Sequence, residues 1–215
     1  MPTLYNRIAN QNLDRLSALS DGVFAFAMTL LVLDLRLPAA AAVHSEHDLW
    51  RALASLTPNL LIYLMGFLTL GIFWNGQQTQ LNHIERGDRD LAWIYLAFLF
   101  TITLMPFSTR LLAEFVHYRA AVLVYWANIL VPGVLLYTSW KYVSRHDMIR
   151  QDTPQEIRAA ICRRVFIAQI LYAFGAALCV FGSLWGVGFI FAVQLNYAIA
   201  PRLPKRRRPS LTAAP

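Results

Sequence analysis

The feature that most constrains this sequence is a set of long stretches without Asp, Glu, Lys or Arg. Four such windows cover 52–84, 91–109, 120–140 and 165–201, with lengths of 33, 19, 21 and 37 residues. A helix that crosses a bilayer needs about 20 mainly apolar residues. The chain is also only 14% charged, against about 25% in an ordinary soluble domain. We therefore predict an all-α, polytopic membrane protein.

The last window is too long for a single crossing. As one helix it would measure about 55 Å, whereas the hydrocarbon core of a bilayer is about 30 Å thick. We expect a turn near residues 181–184, which divides the window into two short crossings and brings the total to five. A sixth candidate, 16–33, is apolar except for Asp21, and hydropathy alone leaves it undecided.

The basic residues favour six crossings, because cytoplasmic loops collect Lys and Arg. With six crossings and both termini in the cytoplasm, 15 of the 19 basic residues lie inside, whereas the best arrangement of five crossings places 13 inside. We predict spans over 14–37, 49–78, 90–112, 118–143, 157–181 and 184–200. They form one membrane domain, 1–201, in the inner (plasma) membrane, followed by a basic, disordered cytoplasmic tail, 202–215. The polar residues at the start predict no cleavable signal peptide.

The sequence contains few signals for catalysis. It has no HExxH pair, no nucleotide-binding glycine loop and no paired carboxylates within a predicted span, so we predict neither an enzyme nor a bound cofactor or metal. His44, Glu46, His47 and Asp48 could form a surface metal site, but a solvated loop explains them better. The net charge of +7 is concentrated in the cytoplasmic loop and tail. This pattern favours contact with anionic membrane lipids over nucleic acid.

Polar residues within the bilayer are concentrated in the first span. An ionised side chain there costs about 2.5 to 3.5 kcal/mol on insertion scales, so we expect Asp21 to face a protein interior or a wet cavity. Ser17 and Ser20 lie nearby. One face of the same helix carries only small side chains, which is typical of close helix packing. These small residues are Ala18, Gly22, Ala25 and Thr29.

A second stripe on this span consists of Phe26, Leu30 and Leu33. Around a symmetric pore, side chains at this spacing would form stacked hydrophobic rings. Spacing alone equally allows them to contact lipid or another helix.

At these residues the sequence resembles the TMEM175 family of lysosomal and prokaryotic potassium-permeable channels, whose prokaryotic members were long grouped as a domain of unknown function. The family motif, approximately RxxxFSD(G/A)VFAIAxTLLVL, corresponds to residues 15–33. Two shorter matches are Phe73-Trp74 and the LxPFxT pattern at 104–109. The length and the six predicted spans agree as well, so the resemblance covers most of the chain.

The resemblance implies a homotetramer in which four copies of the first span line a K⁺-selective pore without a carbonyl filter. By motif position, Phe26, Leu30 and Leu33 are the pore constrictions, and Thr29 is a candidate contributor to selectivity. Potassium is then the permeant ion, and membrane lipids and further copies of the chain are the partners. Three residues correspond to a polar network at the base of the first span. They are Arg15, Ser20 and Asp21.

Three departures from the family pattern stand out. Leu19 replaces the usual Phe, and Phe26 replaces the usual Ile or Leu at the innermost constriction, so four phenyl rings would narrow the path. The family tends to have a histidine pair after Phe-Trp, where this chain has 75–78, Asn-Gly-Gln-Gln. Amides can replace imidazoles in hydrogen bonds but do not protonate near neutral pH.

Two other functions stay open at this point. One is a proton-coupled secondary transporter in which Asp21 titrates. The other is a scaffold without transport, in which the first span serves only as a seam between subunits.

Overall fold

The computed structural model describes residues 13–35 and 43–199. These residues form α-helices joined by short loops, and within them the only strand-like pairing is an isolated bridge between Ile84 and Ile149. The predicted tail, 202–215, lies outside the described residues. So do the first twelve residues and 36–42.

Eight helices follow one another along the described part of the chain. They are α1 (Leu13–Leu30), α2 (Glu46–Ser55), α3 (Thr57–Leu81), α4 (Arg89–Thr103), α5 (Met105–Glu114), α6 (Arg119–Arg145), α7 (Gln155–Ala177) and α8 (Ser183–Ile199). Short 3-10 turns extend α1 over Leu31–Asp34 and α7 over Leu178–Val180. The all-helical membrane fold predicted from the charge-free windows is thereby confirmed.

Five stretches are long and apolar enough to cross a membrane: α1 with its 3-10 turn, α3, α4 together with α5, α6, and α7 with its turn. The segment that hydropathy left undecided, α1, is therefore among the five. The helix that falls short of this length is instead α8, an apolar helix of 17 residues. The turn predicted between the last two helices lies at 181–182.

Two predicted spans are interrupted in the structure. The span 49–78 consists of α2 and α3, and the span 90–112 consists of α4 and α5. Each later helix begins with a proline in its first turn, Pro58 or Pro106. Proline removes a helical hydrogen bond and clashes with the carbonyl four residues earlier, so the chain ends one helix and begins another. By contrast, α6 continues across Pro132.

Hydrogen bonds between buried side chains join the helices inside the apolar core. The Tyr125 and Thr69 hydroxyls lie 2.8 Å apart, and the Gln194 amide donates to Thr69 Oγ1 at 2.6 Å. The Gln80 amide donates to the carbonyl of Leu136 at 2.9 Å. Because an unpaired polar group is costly in an apolar medium, these bonds fix α3 against α6 and α8.

Candidate pore-lining site

One face of α1 is anchored to the rest of the bundle. Its buried residues recur every three or four positions, as expected for one side of a helix. The anchor residues are Leu16, Ser20, Phe24, Ala27 and Leu31. Phe24 packs beside Phe98 of α4 with the ring centroids 6.1 Å apart. The helix thus rests on α3, α4 and α5 and leaves its other half uncovered.

The small-residue face of α1 lies on this uncovered half. Ala18, Gly22, Ala25 and Thr29 are all exposed, and a Cβ added at Gly22 would meet nothing within 4 Å. Beside it an apolar groove of about 530 Å³ extends to Thr103 of α4. The described residues of the protomer therefore do not supply the close packing predicted for this face, and a second chain or lipid could supply it.

The stripe of larger side chains, Phe26, Leu30 and Leu33, is also largely exposed. Phe26 is 66% and Leu33 73% exposed, and Leu30 is half-buried. The 3-10 turn that follows Leu30 changes their alignment, because residues three apart eclipse each other in a 3-10 helix. Leu33 therefore stands almost directly above Leu30, whereas a regular α-helix would rotate it by about 60°.

Thr29 is exposed, and its hydroxyl donates to the carbonyl of Phe26 at 2.8 Å. The hydroxyl proton is thereby occupied by the helix backbone. The oxygen lone pairs can still accept a hydrogen bond or contact a cation.

A hydrogen-bond network joins the base of α1 to α3. Ser20 is fully buried, and its Oγ donates to the carbonyl of Leu16 at 2.9 Å and accepts from Gln77 Nε2 at 2.8 Å. Asp21 Oδ1 accepts from both Trp74 Nε1 and Gln78 Nε2, each at 2.8 Å. Three donors from α3 therefore fix the rotation of α1.

The structure modifies two expectations for this network. Asp21 is exposed at the edge of the contact between α1 and α3, so it does not lie in the interior of the protomer. Arg15 is exposed as well, and among the described residues no hydrogen bond or ion pair joins it to Ser20 or Asp21. The structure thus brings Ser20 and Asp21 together but not Arg15.

The partners on α3 were missed as a set by sequence reasoning. The sequence identifies Phe73-Trp74 only as a family match and Gln77 and Gln78 only as amides in place of a histidine pair, and nothing in a single sequence connects them with Asp21. The three pairings bridge 53 to 57 positions. The presence of hydrogen-bond donors within one predicted span and of acceptors within another could have indicated that the two spans pair.

Comparisons with known proteins identify the family of this chain. The family model described as "Endosomal/lysosomal potassium channel TMEM175" matches residues 15–106. A protein of Chamaesiphon minutus named as a potassium channel is 30% identical over 190 residues, which cover 86% of this chain and 93% of the relative. This chain belongs to the TMEM175 family. Its members are ion channels by name, and the chain is accordingly not an enzyme.

Other TMEM175 relatives extend the match. A protein of Streptomyces collinus, also named as a potassium channel, is 33% identical over 65% of this chain and 70% of its own length. The crystal structure of a lysosomal potassium-selective channel TMEM175 homolog from Chamaesiphon minutus superposes with a TM-score of 0.75 at 28% identity. It covers 89% of this chain and 98% of the solved one, so the two share nearly the whole fold.

In this TMEM175 member, the amides that stand where the family tends to have histidines contact α1 directly. Gln77 donates to Ser20, and Gln78 donates to Asp21. Side-chain amides have fixed donors at any pH between 4 and 10, roughly, because they do not titrate there. The attachment of α1 to α3 is therefore independent of protonation at these two positions.

The bond between Trp74 and Asp21 can be tested by Trp74→Phe, which keeps an aromatic ring but removes the indole N–H. We expect a loss of about 1 kcal/mol of stability, because the hydrogen bond is charge-assisted but exposed. Thermal unfolding in detergent measures the loss. Trp93→Phe on α4 is the matched control, since Trp93 is 60% exposed and its indole N–H forms no hydrogen bond with any described residue. Equal midpoints for the two variants would contradict a role for the bond.

Proposed function

We propose that this chain forms a K⁺-permeable, K⁺-selective channel, as a homotetramer in which four copies of α1 surround the pore. The observation that carries the proposal is the position of the family motif. It lies on a helix that is anchored by one face while Phe26 and Leu33 remain exposed. The potassium channel names of the relatives support the choice of ion.

The proposed constriction is a stack of hydrophobic rings made by Phe26, Leu30 and Leu33. From the first ring to the last, the stack is about 12 Å deep, with the α-helical and 3-10 rises added. Apolar constrictions of this kind control ion passage by excluding water. Thr29 lies between the first two rings, where four hydroxyl oxygens could replace part of the hydration shell of a cation.

The proposed base of the pore is polar. Asp21 lies one to two turns before Phe26 on α1 and is exposed, so four carboxylates would attract cations to the entrance. Neighbouring subunits would meet through the small-residue face and the groove of about 530 Å³ beside it. Arg15 belongs to the same end of the helix and would lie at the membrane boundary.

The proposed topology has six crossings, with both termini on the cytoplasmic side of the inner membrane. The excess of basic residues on that side, 15 of 19, supports this orientation. The short helix α8 would be the sixth crossing, since a short span is accommodated by local thinning of the bilayer.

Ion flux in liposomes tests the proposal. Liposomes that contain the purified full-length protein should release K⁺ down a gradient continuously and should release Na⁺ more slowly. Empty liposomes and liposomes with heat-inactivated protein serve as controls. Absence of K⁺ release from correctly folded protein would reject the channel for this chain.

A proton-coupled transporter is the second candidate, because Asp21 is an exposed carboxylate within a spanning helix. Transport of that kind is saturable, needs a proton gradient and stops in Asp21→Asn. A channel conducts without a proton gradient, and in it Asp21→Asn only lowers the local cation concentration. The same liposomes, with and without a pH difference, therefore separate the two functions.

A further inference from the structure

Arg164 lies at the edge of the apolar part of α7 and forms no salt bridge with any residue that the structure describes. It is exposed, and the charge-free window 165–201 begins at the next residue. The helices α3, α6 and α8 contain no Asp or Glu. The acid of α7, Glu156, lies two turns away, or about 12 Å along the helix. No acidic side chain of these helices is placed to neutralise Arg164.

Tyr197 of α8 provides one side of a site at this position. The Arg164 guanidinium lies over its ring, 5.8 Å from the centroid. This cation–π contact places the guanidinium beside α8, and among the described residues no hydrogen bond uses its N–H groups, so they can donate to a bound anion. Tyr197 is two residues before the end of α8, and Arg164 directly precedes the charge-free part of α7, so the pair lies where the apolar part of α7 begins and α8 ends.

Below the pair is a small apolar cavity of about 50 Å³. Its lining includes the apolar side chains of Ile72, Leu136, Val165 and Ala168, together with Arg164 and Tyr197. The volume is too small for an acyl chain, so it cannot enclose a lipid tail. The site therefore combines a cationic, hydrogen-bonding edge with an apolar floor, which is the chemistry of the phosphate–glycerol region of a phospholipid.

We propose that Arg164 and Tyr197 bind the phosphate of an anionic phospholipid in the cytoplasmic leaflet. An unpaired cation at the hydrocarbon boundary is stabilised by an anionic headgroup, and basic pockets between helices on the cytoplasmic side bind such lipids. The lipid chains stay in the bilayer beside α7, where Phe166 and Ile170 are exposed. The site is separate from the candidate pore, because α7 and α8 pack on each other and on α3 and α6.

Native mass spectrometry of the full-length protein in detergent tests this site with phosphatidylglycerol and phosphatidylcholine as probes. Wild type should retain phosphatidylglycerol preferentially. Arg164→Gln should weaken that retention about fivefold, the effect of one basic group near a lipid surface, without changing phosphatidylcholine. Arg164→Lys should retain most of the binding, since it keeps the charge.

Arg145→Gln is the matched control, because Arg145 ends α6 at the same side of the bundle and is exposed. An equal loss in Arg145→Gln and Arg164→Gln, or no preference of wild type for the anionic lipid, would overturn the site. Millimolar inorganic phosphate should not displace the lipid, and displacement would overturn the assignment to a lipid. The inference uses the orientation proposed above but not conduction, so a protein that binds phosphatidylglycerol and passes no K⁺ would reject the channel alone.

Discussion

Phe26→Ala should raise the K⁺ flux of reconstituted protein by about tenfold, which corresponds to a barrier lowered by about 1.4 kcal/mol. In the proposed tetramer this change removes four phenyl rings from the innermost constriction. A wider ring holds water more readily, and a hydrated constriction conducts. The flux, normalised to the amount of protein in the liposomes, is the measurement. The preference for K⁺ over Na⁺ should persist if Thr29 contributes to it.

Phe100→Ala is the matched control for this experiment. Phe100 lies on α4 and is 65% exposed, against 66% for Phe26, so the same side chain is removed from an equally open position outside α1. Wild-type flux is expected for it. If both variants increased the flux alike, the cause would be a general leak, and the pore would not be lined by α1 as proposed.

Gly66→Ala should destabilise the protein by about 1–3 kcal/mol, the usual cost of overpacking. A Cβ at Gly66 would stand 2.7 Å from Thr109 Oγ1 and 2.8 Å from its Cγ2, with Leu31 Cδ2 at 3.2 Å. Thr109 is buried on α5 and its short side chain has little room to move. The helices α1 and α5 would therefore be displaced from α3.

Gly71→Ala controls for the same substitution on the same helix. A Cβ at Gly71 would meet nothing within 4 Å, so only the higher helix propensity of alanine acts, and it favours the folded state. The two variants should shift the unfolding temperature in opposite directions in detergent. Equal shifts would show that the contact among Gly66, Thr109 and Leu31 does not limit packing.

Most of the fold could be predicted from the long charge-free windows. They predicted membrane helices because every backbone polar group in lipid must find a hydrogen-bond partner within the protein, and a helix provides these partners. The breaks before Pro58 and Pro106 were readable in principle, since proline rarely continues a helix. The 3-10 turn after Leu30 was not, because Leu31-Val32-Leu33-Asp34 contains neither proline nor glycine. The tight last turn of a helix depends on its neighbours.

The candidate site was predictable only along α1. Periodicity placed Phe26, Leu30 and Leu33 on one stripe, and the small residues on another. It could not show that both stripes stay uncovered in the protomer, which depends on where α3 and α4 dock. The partners of Asp21 were equally hidden, because Trp74 and Gln78 approach it from more than 50 positions away.

The contacts of α1 involve only one part of the helical bundle. The helix rests on α3, α4 and α5, and the matched family model ends at residue 106, just inside α5. The hairpin of α7 and α8 packs elsewhere and is joined to α3 through Thr69 and Gln194. Substitutions on the outer surface of this hairpin therefore leave the contacts of α1 intact. In the proposed channel, the outer surface of the hairpin can therefore change without altering the helix that lines the pore.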